Sequence, residues 1–343
     1  MACHQVTITK NYVVLFDTAF QLEAESFFGG ELVTRPAYPH TVMWFIPKAE
    51  LVAGGSVVAK RAVVPTEGAH AVSLWDDDGD VVNILIAHQN AFDPSEWIDS
   101  SDVVAQSGEP VDSAYVGLLV QPADRSVVGR YTVNAQTGEV LTAERFTDPD
   151  SWAFVLYSQD TRAPKDGFGQ FYWGTFGFDP ELLTERFLTA YAGHPERQVA
   201  LQNLPREKLP SQIVRFDADA FEVADRFVLP LGYIGLSPTF LPREGGGPDE
   251  GYVLLFVVSD QGDEIWLFDS QALSRGPLCR LGHPALNFAF TLHTTWMPAL
   301  KQQATPKYVV NKSIDYAERI MGLPTTAQER ARDVLGLSLP HDT

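Results

Sequence analysis

Short runs in which β-branched and aromatic residues alternate with polar ones recur along most of the chain. They include "VVNILIA" (81–87), "AYVGLLVQ" (114–121), "VVGRYTV" (127–133), "AFVLYSQ" (153–159), "QFYWGTFGF" (170–178), "GYVLLFVVS" (251–259) and "EIWLFDS" (264–270). Turn-forming stretches such as "DDDGD", "NAQTGE", "REGGGPDEG" and "SDQGDE" separate them, so each run reads as a strand. Near the start, "TITKNYVVLFD" puts Ile8, Tyr12, Val14 and Phe16 on one period-2 face, which predicts a buried strand. Three stretches echo one another: "RYTVNAQTGEVL" (130–141), "IVRFDADAFEVADRFVLP" (213–230) and "IWLFDSQALSRGPLCRLGHP" (265–284). Each is a strand ending on Asn or Asp, a polar turn and a second strand, a pattern that suits propeller blades better than a solenoid.

Helical patterning is confined to two places. In "DPELLTERFLTAYAGHP" (179–195) Asp179 is a cap, Pro180 stands at the first helical position, and Leu183, Phe187, Leu188 and Tyr191 share a face. "NKSIDYAERIMG" and "TTAQERARDVLGL" predict a helical tail interrupted at Gly322. The expected architecture is an all-β propeller over 1–300 with one helical insertion, followed by a helical tail over 301–343.

The 343 residues suffice for a substantial core. A net charge of −19 disfavours nucleic acid or an anionic membrane surface as the main partner. Two cysteines, Cys3 and Cys279, build no disulfide framework, which makes a reducing cytoplasm the default location. No apolar run reaches the ~18 residues a bilayer span requires.

Eight histidines remain to be explained. His40, His194, His283 and His341 occupy loops, helix ends or the tail, where histidine is ordinary. His4 stands directly before an apolar strand, His70 lies in the first strand of the hairpin that turns at "DDDGD", and His293 lies in "ALNFAFTLHTTW". An imidazole without a partner is costly in such surroundings. A metal with ligands from separate strands would satisfy all three, and so would ordinary core or turn contacts. Neither HExxH nor a Cys-based zinc spacing occurs.

Five blocks, in order from 4 to 296, resemble the carotenoid cleavage oxygenase family. "HQVTITKNYVVLFD" is similar to its histidine followed by T-x-N-Y and a strand, and "AHAVSLWDDDGDVV" to its Phe-His-x-x-Asn-Ala-x-Glu block. "LSPTFLPREGGGPDEGYVLLFV" resembles Glu-Pro-x-Phe-Val-Pro, and "EIWLFDSQALSRGPLCRLGHP" resembles the segment that follows it. "FAFTLHTTW" takes the place of the closing Gly-Phe-His-Gly-x-Trp. His88, in "AHQNAF", mimics the second block, but only His70 has the acidic turn and strand at the family offset.

The resemblance implies a seven-bladed propeller with Fe(II) on its axis, and makes His4, His70 and His293 the second, third and fourth iron-binding imidazoles. It implies cleavage of a carbon–carbon double bond in a carotenoid, apocarotenoid or stilbene-like substrate by O2. Phe171, Trp173 and Phe240 become candidates to line an apolar tunnel, each equally readable as core. Peripheral membrane contact for uptake of an apolar substrate belongs to the same expectation.

The departures are specific. The family's first histidine and N-terminal blades have no counterpart here. Ser237 stands where the family has a glutamate that orients a ligand ring, Asp76 and Ser73 replace the Glu and Asn after His70, and no glutamate precedes "QFYWGT". A three-imidazole chain is expected to hold iron weakly and to cleave little by itself. The competing reading, from another class, is a non-catalytic propeller acting as a binding or scaffold protein.

Overall fold

The computed structural model describes residues 3–17, 36–77, 79–162, 167–288, 291–297, 299, 311, 320–322 and 324–335. Two compact units emerge: one from 1–21 with 34–296, the other from 22–33 with 297–343. Among the described residues the first is built from four antiparallel four-stranded sheets.

Each sheet is one blade, formed by consecutive strands. Blade one holds β1 (Cys3–Ile8), β2 (Tyr12–Asp17), β3 (His40–Pro47) and β4 (Lys60–Pro65). Blade two holds β5 (Gly68–Ser73), β6 (Val81–His88), β7 (Val127–Asn134) and β8 (Glu139–Phe146). Blade three follows with β9 (Phe154–Gln159), β10 (Gln170–Thr175), β11 (Gln212–Asp217) and β12 (Glu222–Val228). Blade four ends the series with β13 (Tyr233–Pro242), β14 (Gly251–Ser259), β15 (Glu264–Asp269) and β16 (Cys279–Gly282). The first strands meet across blades, β1 against β5 and β9 against β13, so they form the inner edge. The three echoing stretches are the outer hairpins β7–β8, β11–β12 and β15–β16.

Apolar faces close the blades on one another. Tyr12, Val14, Phe16, Met43 and Phe45 of blade one pack on Val82, Ile84, Ile86 and Tyr131 of blade two. Leu85, Ala87 and Val128 pack on Phe154, Phe171, Trp173 and Phe216. Tyr172 and Ile213 pack on Phe240, Val253, Leu255 and Trp266. A further core, including Ile98, Trp152, Phe178, Phe187 and Tyr191, belongs to the long connections around blades two and three.

Several expectations are corrected. The run from Ile8 to Phe16 is two strands: Thr9 donates its N–H to the Tyr12 carbonyl, and Ile8 pairs with Val13. Ile8 is therefore exposed while Tyr12, Val14 and Phe16 are buried. "AYVGLLVQ" is no strand. It opens with a 3-10 turn at Ser113–Tyr115, and Leu119 makes an isolated bridge to Trp97. The helix expected over 179–195 is divided. A 3-10 turn at Pro180–Leu182 keeps the Asp179 cap and Pro180 at its first position, and α1 (Glu185–Ala190) follows, capped by Thr184, whose side chain accepts from Phe187 N–H. Between them the chain is drawn into pairing: the Leu182 and Leu183 carbonyls accept from Gln121 and Ala105. In the second unit, α2 (Thr325–Leu335) matches part of the expected tail, whereas 312–319 lie outside the described residues. Among the described residues no helix is long and apolar enough to cross a membrane.

Candidate metal centre

The inner strands share a local irregularity. Cys3 pairs with Asp17 and Gln5 with Phe16, which makes His4 the extra residue of a bulge in β1. In β5, Gly68 pairs with His88 and His70 with Ala87, so a bulge falls immediately before His70. In β13, Leu236 and Ser237 together oppose one residue of β14. Bulges re-aim side chains and terminate regular pairing. Here they fall where β1 and β5 present imidazoles and where β13 receives the 291–297 segment.

A band of side-chain bonds sets β1 against β5. Gln5 donates from Nε2 to the Ala71 carbonyl (2.6 Å) and accepts from Ala71 N–H at Oε1 (2.9 Å). Thr7 meets the Ser73 hydroxyl. Further along, the buried Asp77 carboxylate accepts from the Thr9 hydroxyl (2.6 Å), Asn11 N–H (2.8 Å) and Asn11 Nδ2 (2.8 Å). The Tyr12 hydroxyl donates to Asp80. Thr9, Asn11 and Tyr12 of the T-x-N-Y motif are thus a clasp between blades, and "DDDGD" is its other half. The gripping acid is Asp77. Asp76, which stands at the position of the family's glutamate, is exposed and faces Lys10 at 3.8 Å.

With that register fixed, His4 stands opposite His70, their Nε2 atoms 3.5 Å apart. His293 arrives from irregular backbone, and its Nε2 lies 3.3 Å from that of His70. The adjoining Thr294 hydroxyl contacts Ser237 Oγ (3.3 Å), the Pro238 carbonyl (3.4 Å) and the Thr239 hydroxyl, which ties the segment to β13. Ser237 is buried and acts on the chain beside His293. Donor atoms of His4, His70 and His293 lie within 4.8 Å of one another, a grouping of three His, Cys, Asp or Glu found here among the described residues. An ion about 2.1 Å from each imidazole nitrogen would separate adjacent nitrogens by roughly 3.0–3.4 Å. The observed 3.3 Å falls inside that range and 3.5 Å just beyond it. His4 and His293 are exposed and His70 is half-buried; partial desolvation, and then the facing His4, push the His293 imidazole below its ordinary pKa, favouring the neutral form a metal requires.

The remaining candidates go elsewhere. Phe171 and Trp173 are buried in the core between blades two and three, and Phe240 is stacked on Tyr172 between blades three and four. Each is buried at a sheet-on-sheet interface. Sequence reasoning missed Tyr157. Its ring meets His70 edge-on at 6.1 Å and rests on Phe171 (5.3 Å) and Trp173 (5.0 Å). Burial raises its phenol pKa, partly offset by a hydrogen bond with Gln5. Its place next to a bulge in β9 has no marker in the sequence.

His88 is a core residue. It is fully buried, its ring bonded to the Thr66 carbonyl (3.1 Å) and the Tyr131 hydroxyl (2.9 Å), and burial pushes its pKa down to about 3. His194, read as an ordinary helix end, is buried against Glu67 at 2.9 Å. His341 lies outside the described residues.

Comparison with known proteins agrees with the fold. Pseudomonas brassicacearum lignostilbene dioxygenase superposes with a TM-score of 0.52 at 16% identity, covering 87% of this chain and 55% of that one. An ACO/RPE65 chimera gives 0.50 at 12% identity, covering 86% and 53%. Resveratrol cleavage oxygenase 1 of Chaetomium globosum is 36% identical over 62 residues, 18% of this chain and 10% of that protein. The chain thus spans about half the length of the solved structures it resembles, and its match to the curated relative is shorter still. The family profile described as RPE65, retinal pigment epithelial membrane protein, matches residues 1–298, and the chain belongs to that family.

Proposed function

We propose that the chain is a non-haem iron dioxygenase whose Fe(II) is held by the Nε2 atoms of His4, His70 and His293. The substrate is an apolar conjugated alkene, a carotenoid, apocarotenoid or stilbene-like molecule, cleaved at a double bond so that each carbon takes one atom of O2. The names of the fungal and bacterial relatives favour a hydroxystilbene as the first substrate to assay. The carrying observation is the convergence of three imidazole nitrogens from two inner strands and a distant irregular segment. Bound iron would supply activation of O2 beside the alkene, and an all-nitrogen set leaves coordination positions open for it.

The chain's own residues do the rest. The Thr9–Asn11–Asp77 clasp holds the His4 strand in register with the His70 strand. Thr294 tethers the His293 segment to β13. Phe171 and Trp173 support the site from behind Tyr157.

The test is anaerobic Fe(II) titration followed by oxygen uptake with a hydroxystilbene, aldehydes being resolved by chromatography. The expected result is one iron per chain and aldehyde above the background of His70→Ala, which loses the iron. Bound iron with no aldehyde from any stilbene or apocarotenoid would move the assignment to a propeller that binds without turning over.

A further inference from the structure

The geometry points to Gln5 and Tyr157 as positioning residues that hold the His4 and His70 imidazoles at metal-binding separation. This rests on the reading of His4, His70 and His293 as metal ligands.

Gln5 follows His4, and Ala71 follows His70. The Gln5 amide bonds both backbone groups of Ala71, at 2.6 and 2.9 Å, as a strand neighbour would. A side chain thereby joins β1 to β5, which belong to different sheets, immediately beside the bulge at His4. The same amide hydrogen-bonds the Tyr157 phenol, and the Tyr157 ring presses edge-on against His70 with an interplanar angle of 78°. Three blades therefore meet in one bracket: β1 through Gln5, β5 through Ala71 and His70, and β9 through Tyr157. Phe171 and Trp173 stop Tyr157 from swinging away. Partners that orient metal-binding imidazoles typically govern affinity by 10- to 100-fold. Here that task is met by an amide and a phenol ring, at the level of the two imidazoles.

A polar contact in another blade provides a control. Ser270 is fully buried in blade four, where its hydroxyl donates to the Asp249 carbonyl (2.8 Å) and accepts from Gly251 N–H (3.0 Å). If the bracket merely stabilised the fold, cutting either place would act alike.

The experiment compares wild type with Gln5→Met, Tyr157→Phe, their double variant, Ser270→Ala and His70→Ala. Co(II) affinity and its d–d spectrum are read under anaerobic conditions, alongside melting temperature. Gln5→Met is expected to weaken Co(II) about 10-fold and alter the spectrum. Tyr157→Phe keeps the ring contact and loses only the hydroxyl, so a smaller loss is expected, with the double variant less than additive. Ser270→Ala should lower the melting temperature and leave affinity within about twofold, the scatter expected of a site it does not touch. Wild-type affinity and spectrum in Gln5→Met would overturn the inference, as would an equal loss of affinity in Ser270→Ala. Failure of wild type to bind Co(II) more tightly than His70→Ala would instead overturn the metal reading beneath it.

Discussion

The seam between blades one and two and the seam between blades two and three solve the same problem in opposite ways. At the inner edge the first is laced by polar side chains, Gln5, Thr7, Thr9, Asn11 and Tyr12 reaching Ala71, Ser73, Asp77 and Asp80. The second is a plug of rings and aliphatic groups, Phe154, Phe171, Trp173 and Phe216 against Leu85, Ala87 and Val128. Burial of apolar area is non-directional and tolerates small slides. Hydrogen bonds weaken steeply away from ideal geometry and so fix register. The seam between the two inner-strand histidines is the one built from directional bonds.

The comparison can be broken from either side. Phe216→Ala in the apolar seam should cost about 3–5 kcal/mol in urea unfolding, through lost transfer energy and a cavity. Metal affinity of the folded fraction should be unchanged. Asp77→Asn in the polar seam should cost less, about 2–3 kcal/mol, because it replaces a buried carboxylate that accepts three bonds. If Asp77→Asn costs nothing, the polar seam is incidental to stability and the contrast collapses.

Acid separates the regions further. The native fold keeps His88 neutral down to about pH 3. The unfolded chain takes up that proton near its usual pKa of about 6.5. Stability from this group is therefore complete above about pH 6.5 and is lost as pH falls, by about 1.4 kcal/mol per unit, until the native group titrates. Urea midpoints between pH 7 and 5 should show the slope, and His88→Gln should flatten it even if its own stability is lower. The smallest expected effect is Tyr12→Phe, about 1 kcal/mol for one hydrogen bond to Asp80. A calorimetric comparison with wild type at pH 7 would read it.

What the sequence made legible follows the same division. Period-2 runs and turn residues located most strands, since a half-buried strand writes its alternation into the chain. The echoing stretches proved to be outer hairpins, where each blade repeats the same local turn chemistry. Ile8 was assigned to the wrong strand because a turn at Thr9–Asn11 preserves the even spacing across it. The helix near 185 was overestimated because pairing of Leu182 and Leu183 with residues 121 and 105 separates it from the 3-10 turn that Asp179 caps. The apolar surroundings of His4, His70 and His293 singled them out, but only the family resemblance favoured a shared metal over ordinary contacts; residues so distant leave no local pattern. Asp77, Gln5 and Tyr157 escaped notice because their partners lie on other blades.

The bulge in β1 has a consequence for how such sites change over time. His4 is the surplus residue of its strand, with Cys3 and Gln5 both paired around it. Loss of that single codon would remove an imidazole and restore uninterrupted pairing, with the remainder of the blade still in step. Insertion of one codon at an inner strand would do the reverse. β9 already has a surplus position at Val155, and β13 has one at Leu236–Ser237. A blade of this kind can acquire or shed an imidazole by one-codon indels, a cheaper route than the coordinated substitutions a regularly paired strand would demand.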